Sequence, residues 1–211
     1  PHDALTIVNL PDEQEKDTIH RYGMNEFRLF GLPIPEEGSV IGILGANGTG
    51  KTTAISLLAG EIIPNLGEWE NESVWEDVID HYAGTEIQKH FAGLAKEKVR
   101  IALKPQYVDR IPKMFDGTLR ELLEQVASPD KVTEFAGKIN LTSLDKKLDK
   151  LSGGELQKGA IAATLLKEAD IYFFDEPSSY LDIEQRILIA RIISELGEEK
   201  SIVVIEHDLA I

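Results

Sequence analysis

The sequence predicts an α/β fold with a mostly parallel sheet, and three observations carry that prediction. Ser39–Leu44 (SVIGIL) is a β-rich run that passes straight into the glycine-rich segment Gly45–Thr52 and then into a helical pattern over 52–58. Strand, glycine loop and helix in that order form the unit that wraps phosphate groups. Ile171–Phe174 and Ile202–Ile205 are short, wholly apolar runs. Runs of that kind suit parallel strands covered by helices on both faces. The 211 residues suit one such domain, expected over 1–211, and neither a repeat nor a flexible linker divides them.

The remaining elements follow along the chain. Ala4–Leu10 is a short apolar strand closed by Pro11, and Glu26–Leu32 alternates towards a second strand broken by Pro33 and Pro35. Trp75, Val78, Ile79 and Tyr82 fall at helical spacing, with Gly84 to end that helix. Thr85 with Gln88 reads as a capping box for a second helix, whose apolar face is Ile87, Phe91, Leu94 and Ala95. Residues 71–100 are therefore expected to form a helix–loop–helix insertion, a candidate docking element. Val99–Leu103 is a strand leading to Lys104-Pro105-Gln106. Thr118–Ala127 is a helix with a capping box at Thr118 and Glu121, and Lys131–Lys138 is a shorter one. Ser152 with Glu155 opens a long helix through Leu166, and Ile183–Leu196 is the last helix.

Composition excludes several function classes. A formal net charge of −15 opposes a surface that coats nucleic acid, and no direct sequence-specific nucleic-acid binding is expected. The absence of Cys excludes disulfides and thiolate metal sites within these residues. No apolar run approaches the roughly 20 residues that span a bilayer, and no signal-peptide pattern follows Pro1. The expectation is a cytoplasmic protein without a membrane partner. His2, His20, His81 and His90 lack metal-ligand spacing.

Gly45-Ala46-Asn47-Gly48-Thr49-Gly50-Lys51-Thr52 satisfies G-x-x-x-x-G-K-[ST] at every fixed position. Its glycines let backbone N–H groups curl around phosphate oxygens, and the helix start adds a positive dipole end. Lys51 is expected to reach the β- and γ-phosphates and Thr52 to ligate Mg²⁺, with Thr53 adding a phosphate contact. Asp175 closes the strand Ile171–Phe174 at the sheet's carboxyl edge, where it is expected to hold Mg²⁺. Glu176 is placed to polarise an attacking water as charge builds on the γ-phosphate. The cofactor set is ATP or ADP with Mg²⁺.

Adding Leu151-Ser152-Gly153-Gly154-Glu155 and Phe174-Asp175-Glu176-Pro177 to that loop, in this order, resembles the ATP-binding cassette (ABC) ATPases. The resemblance implies a P-loop NTPase of the ABC-cassette type. Its parts would be a mostly parallel core sheet, an antiparallel β subdomain and a helical signature lobe. It further implies that Ser152, Gly153 and Gly154 contact the ATP held by an opposite cassette, while Ser178–Asp182 crosses the interface between the two. Gln106 takes the place of the family's Q-loop residue, sensing Mg²⁺ and the nucleophilic water. His207 takes that of the switch histidine. Tyr22 and Phe27 are the candidates to stack on adenine.

Three segments are more particular: Lys104–Asp109 (KPQYVD), Tyr172–Asp182 (YFFDEPSSYLD) and Glu206–Ala210 (EHDLA). They are similar to the first cassette of the ribosome-recycling ABC ATPases, the RNase L inhibitor type, called ABC subfamily E. A helix–loop–helix insertion is a feature of that subfamily. The likeness implies a parent with two cassettes in one chain and two [4Fe-4S] clusters in an N-terminal domain. Such a parent splits ribosomes into subunits, with ribosomal subunits and release factor as partners. Without Cys or a second LSGGE segment, this chain is expected to be a piece of that parent. An ATPase subunit of a membrane transporter shares every ATP motif and is the alternative reading, which the three particular segments disfavour. A nucleotide-dependent clamp, in which hydrolysis is only a reset, is the third.

Overall fold

The computed structural model describes residues 5–8, 18–46 and 48–207. Its strands are β1 Leu5–Val8, β2 His20–Arg21, β3 Arg28–Leu29, β4 Ser39–Leu44, β5 Ile101–Lys104, β6 Ile171–Asp175 and β7 Ser201–Glu206. Its helices are α1 Lys51–Leu58, α2 Trp75–His81, α3 Glu86–Ala95, α4 Ile111–Met114, α5 Leu119–Glu124, α6 Pro129–Lys138, α7 Gly153–Leu165 and α8 Ile183–Gly197. The apolar runs build a five-stranded sheet in the order β1-β4-β7-β6-β5. Every pairing in it is parallel.

Because side chains alternate across a strand, the runs that are apolar at every position feed two cores at once. Ile41, Ile43, Ile171, Phe173, Val203 and Ile205 face α1, packing on its Ile55 and Leu58. Val40, Ala102, Tyr172, Phe174 and Ile202 face the opposite way, against Leu119, Leu123, Leu156, Ile161, Ile189 and Ile193 of α5, α7 and α8. Phe174 is fully buried there, and truncating such a residue to Ala costs about 3–5 kcal/mol.

β2 and β3 form a separate antiparallel pair, His20 opposite Leu29 and Arg21 opposite Arg28. The strand expected over 26–32 is thus only Arg28–Leu29, because residues 22–27 are spent on the turn, with Tyr22 N–H donating to the Phe27 carbonyl.

Residues 71–100 hold the two expected helices, α2 and α3, around Val78, Ile87 and Phe91. His90 Nε2 lies 2.8 Å from the Leu58 carbonyl oxygen and ties the pair to the end of α1. The capping box expected at Thr85 and Gln88 does not form. Thr85 Oγ1 donates instead to the Tyr82 carbonyl at 2.6 Å. Gln88 accepts from Gly84 N–H at 3.0 Å and donates to the Ile79 carbonyl at 3.1 Å, so it closes the turn between the helices.

The boxes at Thr118 and Ser152 do form, each with a reciprocal Glu at the third helical position. α5 stops at Glu124, short of the expected Ala127. α6 starts at Pro129 rather than Lys131, with Ser128 before it and proline at the first helical position, where its missing N–H costs nothing.

Candidate active site

Parallel strands deliver their carboxyl ends to one edge of the sheet, where ligands of open α/β sheets bind. Leu44 pairs with Glu206, Asp175 with Ile205 and Lys104 with Phe174, so four strand ends lie side by side. From them emerge the glycine loop, Asp175-Glu176, His207 and Gln106. One cleft is lined by Gly48, Gly50, Lys51, Thr52, Thr53, Gln106, Asp175, Glu176 and His207, with Tyr22 and Phe27 from the β2–β3 region. Asn47 lies outside the described residues.

Gly50 immediately precedes α1 in a left-handed conformation, φ 86°, and no side chain caps the helix. The Phe27 ring sits so close to Gly50 that any Cβ there would collide with it. Lys51 Nζ turns back onto its own loop, donating to the carbonyls of Gly45 at 2.5 Å and Ala46 at 2.8 Å, and lies 3.3 Å from His207 Nδ1. Burial pulls the Lys51 ammonium below its ordinary value, against the pull of Glu176 and Asp175. Thr49 Oγ1 donates to the Ala46 carbonyl at 2.9 Å. The Tyr22 hydroxyl is 3.2 Å from Thr53 Oγ1, and the tyrosine is 47% exposed.

The carboxylate of Glu176 has three side-chain partners among the described residues. Its Oε1 accepts from Gln106 Nε2 at 2.7 Å and pairs with His207 Nε2, and its Oε2 accepts from Ser179 Oγ at 3.2 Å. Its backbone is left-handed, φ 49°, a conformation uncommon for a residue other than glycine. Asp175 is buried, and burial followed by the neighbouring Glu176 charge pushes its carboxyl up, with Lys104 and Lys51 opposing. A buried carboxylate whose charge is disfavoured fits a site that receives a cation. Among the described residues no group of three or more His, Cys, Asp or Glu is arranged to hold a metal ion.

Two residues of the site are not apparent from the motifs. Lys104 ends β5 with 0% exposure, and its Nζ donates to the Asp175 carbonyl at 2.7 Å and the Glu176 carbonyl at 3.3 Å. Burial pulls it down to about 8, against Asp175, Glu176 and Glu206. Gln157 of α7, also fully buried, donates to the Glu176 carbonyl at 2.7 Å and the Pro177 carbonyl at 2.9 Å. A lysine closing the otherwise apolar run Ile101–Lys104 is the sequence signal for the first, since buried charges need partners.

Ser152, Gly153 and Gly154 do not line this cleft. Ser152 accepts from Glu155 N–H at 3.3 Å, while its own N–H donates to Glu155 Oε2 at 2.8 Å. Tyr180, with φ 64° and 66% exposed, covers the glycines: a Cβ at Gly153 would lie 2.9 Å from its ring.

The ABC transporter family matches residues 35–179. The chain belongs to the ABC ATPase family. An uncharacterized ABC transporter ATP-binding protein of Methanocaldococcus jannaschii is 49% identical over 100% of this chain, which covers 35% of that protein. Translation initiation factor RLI1 of Saccharomyces cerevisiae is 41% identical over 100% of the chain and 36% of its own length. The archaeal ribosome recycling factor aABCE1, solved in complex with the archaeal ribosomal stalk protein aP1, superposes with a TM-score of 0.87 at 50% identity, covering 94% of this chain and 38% of that one. The chain thus spans about a third of the length of the curated relatives it matches. The α/β architecture is the ABC-cassette form of the P-loop NTPase fold, and the family implies nucleotide binding with Mg²⁺. Among the described residues, no helix is long and apolar enough to cross a membrane.

Proposed function

We propose that this chain is the first cassette of a twin-cassette ATPase, that it hydrolyses ATP, and that the parent's task is to split ribosomes into subunits. The convergence of Lys51, Asp175, Glu176, Gln106 and His207 on one cleft carries the catalytic part of this reading. The likeness to the archaeal ribosome recycling factor over 94% of the chain supports the rest. ATP binding would replace the Gly45 and Ala46 carbonyls around Lys51 Nζ with β- and γ-phosphate oxygens, and the N–H groups of Asn47–Thr53 would surround the phosphates. Thr52, Asp175 and Gln106 are the residues to hold Mg²⁺, which supplies charge neutralisation at the β- and γ-oxygens. Glu176 orients the attacking water and accepts its proton. His207 bonds the γ-phosphate, and Tyr22 with Phe27 takes the adenine.

Ser152, Gly153 and Gly154 serve the ATP of a second cassette in the same parent chain. The isolated chain therefore binds ATP or ADP and turns over very slowly. The parent also carries [4Fe-4S] clusters in an N-terminal domain, works in the cytoplasm with ribosomal subunits and release factor, and uses residues 71–100 for docking. Co-sedimentation of the full-length parent with ribosomal subunits in a non-hydrolysable ATP analogue tests this reading; absence of binding under every nucleotide would sink it. In the same protein, Glu176→Gln lowers turnover by roughly 10²–10⁴-fold and traps ATP. Unaltered turnover would remove Glu176 from its role.

A further inference from the structure

The Glu176 carbonyl oxygen is a junction. It accepts from Lys104 Nζ at 3.3 Å, from Gln157 Nε2 at 2.7 Å and from Ser179 N–H at 3.3 Å. The first donor comes from β5, two residues before Gln106, and the second from α7, the helix capped by Ser152. The residue so held has a left-handed backbone, which costs a non-glycine residue of order 1 kcal/mol or more and persists only where its surroundings impose it. The segment that follows is pinned through its amides. Glu176 N–H donates to the Ile205 carbonyl at 3.0 Å, Ser178 N–H to Glu206 Oε1 at 2.9 Å and Leu181 N–H to the Ser178 carbonyl at 3.2 Å.

We propose that Lys104 is a positioning residue for the reaction, with Gln157 as its second arm: together they hold the Asp175 and Glu176 carbonyls so that Glu176 keeps its left-handed turn and its carboxylate faces Gln106 and His207. The charge of Lys104 has a reason in this geometry. An uncharged donor would also reach a carbonyl, but an ammonium has three N–H bonds, enough for both carbonyls at once, and it sits among the carboxylates of Asp175, Glu176 and Glu206. Gln157 ties the same carbonyl to the signature helix, so a displacement of α7 acts on the backbone of Glu176 directly.

The inference rests on the assignment of Glu176 above, and the test separates the two. Steady-state turnover and ATP affinity are measured for the full-length parent as wild type, Glu176→Gln, Lys104→Met and Gln157→Leu. Amide hydrogen exchange of residues 176–181 is measured in the nucleotide-free proteins. Lys104→Met is expected to lower kcat about 100-fold and Gln157→Leu about 10-fold, with ATP affinity within threefold of wild type. Exchange over 176–181 rises at least tenfold in both, while β6 and β7 stay protected. Should Lys104→Met fail to fold, Gln157→Leu decides by the same readings. A kcat within twofold of wild type, or a loss of kcat matched by an equal loss of ATP affinity, overturns the positioning role. If Glu176→Gln itself turns over normally, the assignment of Glu176 fails instead.

Discussion

Two helices in this molecule start beside glycines, α1 just after Gly50 and α7 at Gly153, and they begin in opposite ways. α1 has no side-chain cap, a left-handed Gly50 before it, and a lysine that folds onto the loop's own carbonyls. Its start is open to an anion and carries its own cation. α7 is closed by the reciprocal Ser152–Glu155 box, and Tyr180 lies on its glycines. The Glu155 carboxylate accepts from the Ser152 N–H and hydroxyl, whereas among the described residues no side chain accepts from the first turn of α1. The proposed division of labour, one start for this chain's own nucleotide and one for a second cassette, thus goes with the absence of a side-chain cap at Gly50 and its presence at Ser152.

Lys51→Ala is the largest test of the contrast. On the proposed role of Lys51 it would remove at least two charge-assisted contacts to phosphate, each worth about 1.5–3 kcal/mol, so calorimetric titration is expected to show ATP affinity falling roughly 100-fold or more. An intact affinity would mean that the open start of α1 is not the nucleotide site. Gly50→Ala comes next. The new methyl meets the Phe27 ring at a positive φ, and chemical denaturation is expected to show a loss of about 1–3 kcal/mol. Gly153→Ala meets only an exposed tyrosine ring at 2.9 Å, which can swing away, so its cost stays under about 1 kcal/mol. Equal costs at both glycines would erase the distinction drawn here.

Ser152→Ala loses the reciprocal cap and is expected to destabilise the chain by about 1 kcal/mol without touching its own ATP affinity. Smallest is a pH effect. The N–H of Ser152, then Lys146 and the Ser152 hydroxyl, hold the Glu155 carboxyl down to about 2 from 4.5. A carboxyl depressed by folding stabilises fully above its unfolded value, and that contribution is lost as pH falls towards the folded one. The Tm advantage of wild type over Glu155→Gln should therefore shrink between pH 4.5 and pH 2, and a constant difference would contradict the box.

How much of this was legible in the sequence depended on reach. The Ser152–Glu155 box spans three residues and could be read directly, as could the strand ends that bring Asp175 and His207 to one edge. Thr85 and Gln88 have the same local pattern, yet Gln88 bonds back to Ile79 across the turn, a contact that no capping pattern encodes. Lys104 and Gln157 were hidden because their partners are backbone carbonyls far along the chain, and a carbonyl leaves no mark in composition. The β2–β3 turn brings Phe27 onto Gly50 by a similar long-range approach, which spacing along the chain does not encode.

Counting nucleotides tests the central contrast most directly. Equilibrium titration of the isolated 211-residue chain with ATP and Mg²⁺ should give one nucleotide per chain. That binding should be lost in Lys51→Ala and unchanged in Ser152→Ala. Two nucleotides per chain, or a loss of binding in Ser152→Ala with Lys51 intact, would contradict the account.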